Sequence, residues 1–231
     1  MKTACFVTGT DTEIGKTYVC CALLHAARQA GLSAAGMKPV AAGLDARGYN
    51  EDVEQLRTAS SMALPRSLVN PFALRAAVAP HIAAREEGRP ITFAPIREAF
   101  EKISQAADVV VVEGVGGFRV PLGEEGDSAD LAAALGLPVI LVVGLRLGCL
   151  NHALLTVEAV AARGLPLAGW IGNTLDPAMA RREENLACLR DSITAPCLGV
   201  IPHAPVGGPA AAAAALCIHA HLVMRSAKPP T

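Results

Sequence analysis

The sequence predicts an α/β fold, a doubly wound, mainly parallel sheet with helices on both faces. Three observations carry that prediction. Short runs such as Asp108–Val112 and Pro138–Val143 are apolar almost throughout, as strands buried on both faces must be. They alternate with longer helical segments, the order that yields parallel strands joined by crossover helices. The third is Val7-Thr8-Gly9-Thr10-Asp11-Thr12-Glu13-Ile14-Gly15-Lys16-Thr17, a glycine-bearing loop between an apolar run and a helix.

That order is the context a phosphate-binding P-loop requires. Backbone N–H groups of the loop and the helix N-terminus point into one concavity, where phosphate oxygens accept them. Lys16 adds a cation at the β/γ-phosphates, and the Thr17 hydroxyl can take one Mg²⁺ position. Five residues, not four, separate Gly9 from Gly15. Either Thr10 replaces the first glycine or the loop is one residue longer.

In order along the chain, Ala4–Val7 reads as the first strand and Thr17–Ala30 as a helix ended by Gly31. Within Ser33–Val40 a short second strand, Ala34-Ala35-Gly36-Met37, is expected to deliver Lys38-Pro39 at its C-terminal end, and residues 43–50 are expected as loop. Helices are expected over Glu51–Ala59, over 80–88 with proline in the first turn, and over Phe93–Ala106. Asp108–Val112 is a strand closed by Glu113-Gly114-Val115-Gly116-Gly117, and Pro138–Val143 a strand followed by Gly144. Next come a helix over Asn151–Arg163, a strand over Leu167–Gly172 reaching Asn173, and a helix N-capped by Asp176-Pro177 and running to Ser192. Cys197–Ile201 is the last strand and Pro209–Met224 the last helix, its alanines at 210–215 serving helix packing.

The composition bounds the function. At 231 residues the chain suits a single domain spanning 1–231, with a core of small aliphatic side chains: 52% of residues are hydrophobic and 3% aromatic. The 20 basic and 21 acidic residues nearly balance and form no basic stripe, so no nucleic-acid partner is expected. The seven cysteines are scattered without Cys-x-x-Cys spacing, which argues against zinc and against a disulfide framework. No signal-peptide pattern is present at the N-terminus, and no apolar stretch reaches spanning length without Gly, Pro or a charge. The expectation is a cytoplasmic protein without a membrane partner.

In parallel sheets ligands bind beyond the C-terminal ends of the strands. Thr17, Lys38, Glu113 and Asn173 each lie at or just past such an end. Glu113, after four valines, stands where a Walker-B carboxylate would meet Mg²⁺. Asp52 and Lys38 are ambiguous from spacing alone. Asn173-Thr174-Leu175-Asp176 has the spacing of the Asn-Lys-x-Asp base-reading motif of GTPases, but Thr174 replaces its lysine, so base contact is open and guanine selection is not implied.

Together these residues resemble the dethiobiotin synthetase family over nearly the full length. The resemblance rests on the eleven-residue loop, Lys38-Pro39-Val40-Ala41, Asn70-Pro71, Pro80-His81, Glu87-Gly88-Arg89-Pro90 and Val112–Gly117. Val142-Val143-Gly144, Leu147-Gly148-Cys149-Leu150-Asn151-His152 and Ala168-Gly169-Trp170 complete it. It implies an ATP- and Mg²⁺-dependent ligase of biotin synthesis that carboxylates 7,8-diaminononanoate with CO2 and closes its ureido ring. By that resemblance Thr12, Glu13, Ile14, Gly15, Lys16, Thr17 and Tyr18 hold ATP beside Glu113, Gly114, Val115 and Gly116. Asn173 and Thr174, with the turn Pro202-His203-Ala204, hold adenine. Thr17, Asp52 and Glu113 surround Mg²⁺, and Lys16 and Lys38 serve the phosphoryl transfer. Thr12, Lys38, Ala42 and Gly117 contact the diamine, while Gly148, Cys149, Leu150 and Asn151 take its carboxylate across a homodimer interface. Ala42 stands where the family often has a hydroxyl residue. A rival with the same fold is the partition or septum-placing switch ATPase, which binds a partner protein and carries a lysine early in the loop, where Thr10, Asp11 and Thr12 stand here.

Overall fold

The computed structural model describes residues 2–217. Among these, six strands form one all-parallel sheet in the order β10-β9-β8-β1-β5-β2. The strands are β1 (Thr3–Gly9), β2 (Ala34–Met37), β5 (Val109–Glu113), β8 (Val139–Leu145), β9 (Leu167–Thr174) and β10 (Cys197–Ile201). Two further pairs lie outside it: β3 (Val40–Ala42) with β4 (Phe72–Leu74), parallel, and β6 (Pro121–Gly123) with β7 (Gly126–Asp127), antiparallel. The helices are α1 (Lys16–Gln29), α2 (Glu51–Ala59), α3 (Arg66–Val69), α4 (Pro80–Glu86), α5 (Phe93–Ala106), α6 (Ser128–Leu135), α7 (Cys149–Ala162), α8 (Arg182–Ser192) and α9 (Gly208–Ala212).

The period-two geometry of a strand sends alternate side chains to opposite faces. Cys5 and Val7, with Val109, Val111, Ile140 and Val142, pack under α1 and α2. Phe6, Val110, Val112 and Val139 face α5, while Leu141, Val143 and Trp170 face α7 and α8. β1 lies between β5 and β8 in the middle of the sheet, in register Phe6↔Val112 and Phe6↔Val139. The loop after β1 is therefore centred over the C-terminal edge.

Two expectations need correcting, and some elements were not foreseen. The expected second strand, Ala34–Met37, is β2 itself, and what was not foreseen is the short β3 beyond it. β2 ends at Met37, and the backbone N–H of Lys38 turns to Val69 O at 2.8 Å, so β3 leaves the main sheet to pair with β4. Asp176 does not cap a helix. Its Oδ1 accepts from Ala178 N–H at 2.8 Å, an Asx turn, and α8 begins only after Arg181, whose φ is +56°. The last helix does not run from Pro209 to Met224. α9 passes into a 3₁₀ turn at Ala213–Ala215, and Leu216 is extended and bridges Gly199. The open edge of β10 offers backbone partners that outcompete another helical turn, and residues 218–224 lie outside the described residues. Finally, α6 was not expected, although Asp127 and Asp130 form its capping box.

Candidate active site

The phosphate-binding loop is shaped by packing from below. A Cβ on Gly9 would lie 2.7 Å from Ile14 Cδ1, and one on Gly144 would lie 2.7 Å from Ile14 Cγ2. Ile14 is thus a buried plug seated between two glycines, and it contributes its backbone rather than its side chain to the site. Gly15 caps α1 at φ +80°, and Glu13 is also left-handed at +58°. Asn173, at the end of β9, donates from Nδ2 to Ile14 O at 2.8 Å. Thr10 N–H donates to Val142 O at 3.0 Å, so both sides of the loop are tied to the sheet.

Beneath the loop five side chains converge: Lys16 and Thr17 from the start of α1, Lys38 from just past the end of β2, Asp52 from α2 and Glu113 from β5. Lys38 Nζ donates to Asp52 Oδ2 at 2.5 Å and to Glu113 Oε1 at 2.6 Å. Thr17 Oγ1 donates to the same Glu113 oxygen at 2.8 Å. Lys16 Nζ donates to Asp11 O at 2.8 Å. Lys16, Lys38 and Glu113 are 6%, 5% and 1% exposed. Burial alone pushes the Lys38 ammonium down, but the Glu113 and Asp52 carboxylates overcome it and hold the group above its ordinary value. Burial lowers Lys16; Glu113 pulls it back and the neighbouring Lys38 adds to the fall. Burial raises the Asp52 carboxyl, yet Lys38 outweighs that and keeps it below the usual range.

The donor set fits a magnesium ion. Glu113 Oε2 is buried without a partner, and Thr17, Asp52 and Glu113 supply the oxygen ligands that ion prefers. Among the described residues no group of three or more His, Cys, Asp and Glu side chains comes together. The set is instead two carboxylates and a hydroxyl beside a P-loop.

A cleft of about 940 Å³ opens over these groups. Thr12, Glu13, Gly15, Lys16, Thr17 and Tyr18 line it on the side of the P-loop. Lys38, Ala42, Asp52, Glu113, Val115 and Gly116 continue it. The remaining wall was not foreseen: Asn50 and Gln55 on one side, Ala77-Val78-Ala79-Pro80 and Val120 on the other. Several candidates lie elsewhere. Gly114 is buried, with its N–H on Val7 O at 2.9 Å, and neither it nor Gly117 lines the cleft. Thr174 is buried, with its carbonyl 3.3 Å from His203 Nδ1, while Pro202, His203 and Ala204 are exposed and outside the cleft. Gly148, Cys149, Leu150 and Asn151 also lie outside it, at the start of α7. A second cavity, of about 720 Å³, lies between α4 and the β6–β7 hairpin. Its Arg89 donates to Pro71 O and Ala73 O, and its Glu125 accepts from Phe93 N–H. Its charges brace backbone rather than meeting a P-loop.

Residues 3–210 match the family model described as an AAA domain. The ATP-dependent dethiobiotin synthetase BioD of Aromatoleum aromaticum is 63% identical over 216 residues, 92% of this chain and 96% of that protein. The enzyme of the same name from Ralstonia nicotianae is 59% identical over 204 residues, 87% and 89% of the two chains. Among solved structures, the MinD cell division protein of Aquifex aeolicus superposes with a TM-score of 0.56 at 14% identity, covering 88% of this chain and 83% of its own. A ParA family ATPase of Chlorobium tepidum gives 0.55 at 13%, covering 94% and 92%. At such identity these two share the fold alone. The two near relatives share more: the chain belongs to the ATP-dependent dethiobiotin synthetases.

Proposed function

We propose that the chain, as one domain over 1–231, carboxylates 7,8-diaminononanoate with CO2 and closes the ureido ring of dethiobiotin, converting ATP to ADP and phosphate. One amine takes up CO2 as a carbamate, whose oxygen attacks the γ-phosphorus. The second amine then attacks the resulting carbamic–phosphoric anhydride and expels phosphate. The observation that carries the reading is the pair of buried ammonium groups, Lys16 and Lys38, set with Thr17, Asp52 and Glu113 under a P-loop.

The protein's part is positioning and charge neutralisation, which suffices for phosphoryl transfer. Lys38 stays charged, because two carboxylates hold its pKa up, and so can neutralise the carbamate and the transferred phosphoryl. Lys16 neutralises the β/γ-phosphates. Thr17, Asp52 and Glu113 would hold Mg²⁺, which when bound would stabilise the charge that builds up in phosphoryl transfer. Asn173 bears on the base. Its amide donor is committed to Ile14 O, so what it can offer is an acceptor. The exocyclic amine of adenine suits an acceptor and the guanine carbonyl repels one. The wall of Ala42, Ala77, Val78, Ala79 and Pro80 suits the aliphatic chain of the diamine.

The carboxylate of the diamine is assigned to Gly148–Asn151 of a second copy. This loop does not line its own cleft, while Leu147 beside it is 95% exposed and Leu155 on α7 is 57% exposed. The assay that tests the function is ADP release measured with the diamine and bicarbonate, each alone and together. Release is expected only with both. Release independent of the diamine overturns the reading. For the dimer, Lys16→Ala and Gly148→Trp subunits, each inactive alone, are mixed; recovered activity supports a shared site, and none refutes it.

A further inference from the structure

The diamine wall and the metal carboxylate are joined by one side chain. Asn50 ends the loop after β3 and caps α2, its Oδ1 accepting from Val53 N–H at 3.3 Å. Its Nδ2 reaches the other way and donates to Gly43 O at 2.9 Å, with Ala42 O at 3.5 Å. Asn50 itself lines the cleft. Two residues on, Asp52 Oδ2 holds Lys38 Nζ at 2.5 Å. Lys38 in turn leads directly into β3, which ends at Ala42. The contacts close a ring: chain from Lys38 to Gly43, hydrogen bond to Asn50, first turn of α2, ion pair from Asp52 back to Lys38.

A displacement at one point of such a ring is felt at the others. Gly43 cannot absorb it freely. Its N–H is on Leu74 O at 3.0 Å, and at φ +89° a Cβ there would lie 3.2 Å from Ala77 Cβ on the opposite wall. The rest of the loop is held without Asn50. Asp45 Oδ1 accepts from the N–H groups of Arg47 and Tyr49, both at 2.9 Å. Arg66 lies 3.9 Å over the Tyr49 ring and grips Glu54 of α2 with two hydrogen bonds. The body of α2 is therefore anchored by Arg66, and what Asn50 adds is the register between its first turn and β3.

We propose that Asn50 is a positioning residue that couples the diamine wall at Ala42–Gly43 to the Asp52–Lys38 pair, so that loading the nucleotide and metal half tightens the diamine half. The inference rests on the proposed function. It requires a coupling free energy between two sites, which is read as a ratio of affinities.

The test is calorimetric binding of 7,8-diaminononanoate to the full chain, alone and saturated with Mg²⁺ and a non-hydrolysable ATP analogue. Asn50→Ser keeps a good cap but its hydroxyl is too short to reach Gly43 O. The wild type is expected to bind diamine more tightly when loaded, by on the order of five- to tenfold. In Asn50→Ser that ratio is expected to fall towards one, with the melting temperature close to that of the wild type. A merely structural role would shift both affinities and leave their ratio intact, and that result overturns the proposal. So does a wild-type ratio of one. A wild type that binds no diamine in either state overturns the functional reading, and this inference with it, and is told apart because no ratio then exists.

Discussion

Lys16, Lys38 and Glu113 on the floor of the cleft are at most 6% exposed and tied to one another or to the loop. The segments assigned to the base and to the carboxylate are built differently. Pro202, His203 and Ala204 are exposed, and Leu147 beside Gly148 is almost wholly exposed. Charge that must act on a phosphoryl group has to be held in low dielectric before the ligand arrives, where it is worth most. A charged group so held needs a counter-charge within the protein. The rim as proposed carries no such demand, because a neutral base and a second subunit are what would complete it. The floor can therefore be seen in a single chain, and the rim only in part.

Breaking the floor should have the largest effect. Lys38→Met leaves Glu113 buried without its cation. Turnover is expected to fall by about 10²–10³-fold or more, and stability by about 3–5 kcal/mol, the usual cost of breaking a buried pair. Steady-state kinetics and denaturant titration check both. A folded variant within tenfold of wild-type activity would erase the distinction between floor and rim.

Gly15→Ala comes next. The new methyl would be 2.3 Å from Asn173 Nδ2 at a backbone φ of +80°, where L-residues lose about 1–2 kcal/mol. An ATP KM raised by about tenfold or more is expected from that cost and the collision together. Adding Asn173→Ala removes the collision together with the bond to Ile14 O, so the double variant should lose less than the sum of the two single changes, a non-additivity that identifies the two as one unit.

A smaller effect sharpens the boundary between the regions. ATP is expected over GTP, and Asn173→Ala should reduce that preference by about fivefold, the worth of one hydrogen bond of roughly 1 kcal/mol. Kinetics with both nucleotides decide it. Equal loss with ATP and GTP would confine Asn173 to bracing the loop.

The smallest change belongs to the rim. Arg146 Nη2 and Asp11 Oδ2 are 2.5 Å apart with side chains 45% and 44% exposed. Arg146→Gln should cost less than about 1 kcal/mol of stability, as exposed pairs do. A larger loss in thermal melts would mean that the rim, too, is held by fixed charge.

Part of the floor was legible in the sequence, because Glu113 ends an apolar strand and Lys16-Thr17 open the helix after a glycine loop. Glu113 after four valines and Lys16-Thr17 after the glycine loop each carry a local signature. The cleft's far wall does not. Ala77–Pro80 reaches the site through the pairing of β3 and β4, three residues each, too short to show a period. Asn50 caps α2 and also bonds Gly43 O, and that second bond depends on a loop closure that no local pattern reports. Asp176-Pro177 misled for a related reason: the same aspartate chemistry that caps a helix also closes an Asx turn, and only the left-handed Arg181 decides which.

The seat of Ile14 between Gly9 and Gly144 has a thermodynamic consequence. The loop takes its shape from the hydrophobic interior below, not from the anion above. Nucleotide binding then needs little backbone ordering, and the entropy that a floppy loop would surrender on association is already lost on folding. Affinity for ATP is in this sense set partly by a side chain that never touches it, and enlarging either glycine should show as a less favourable binding entropy.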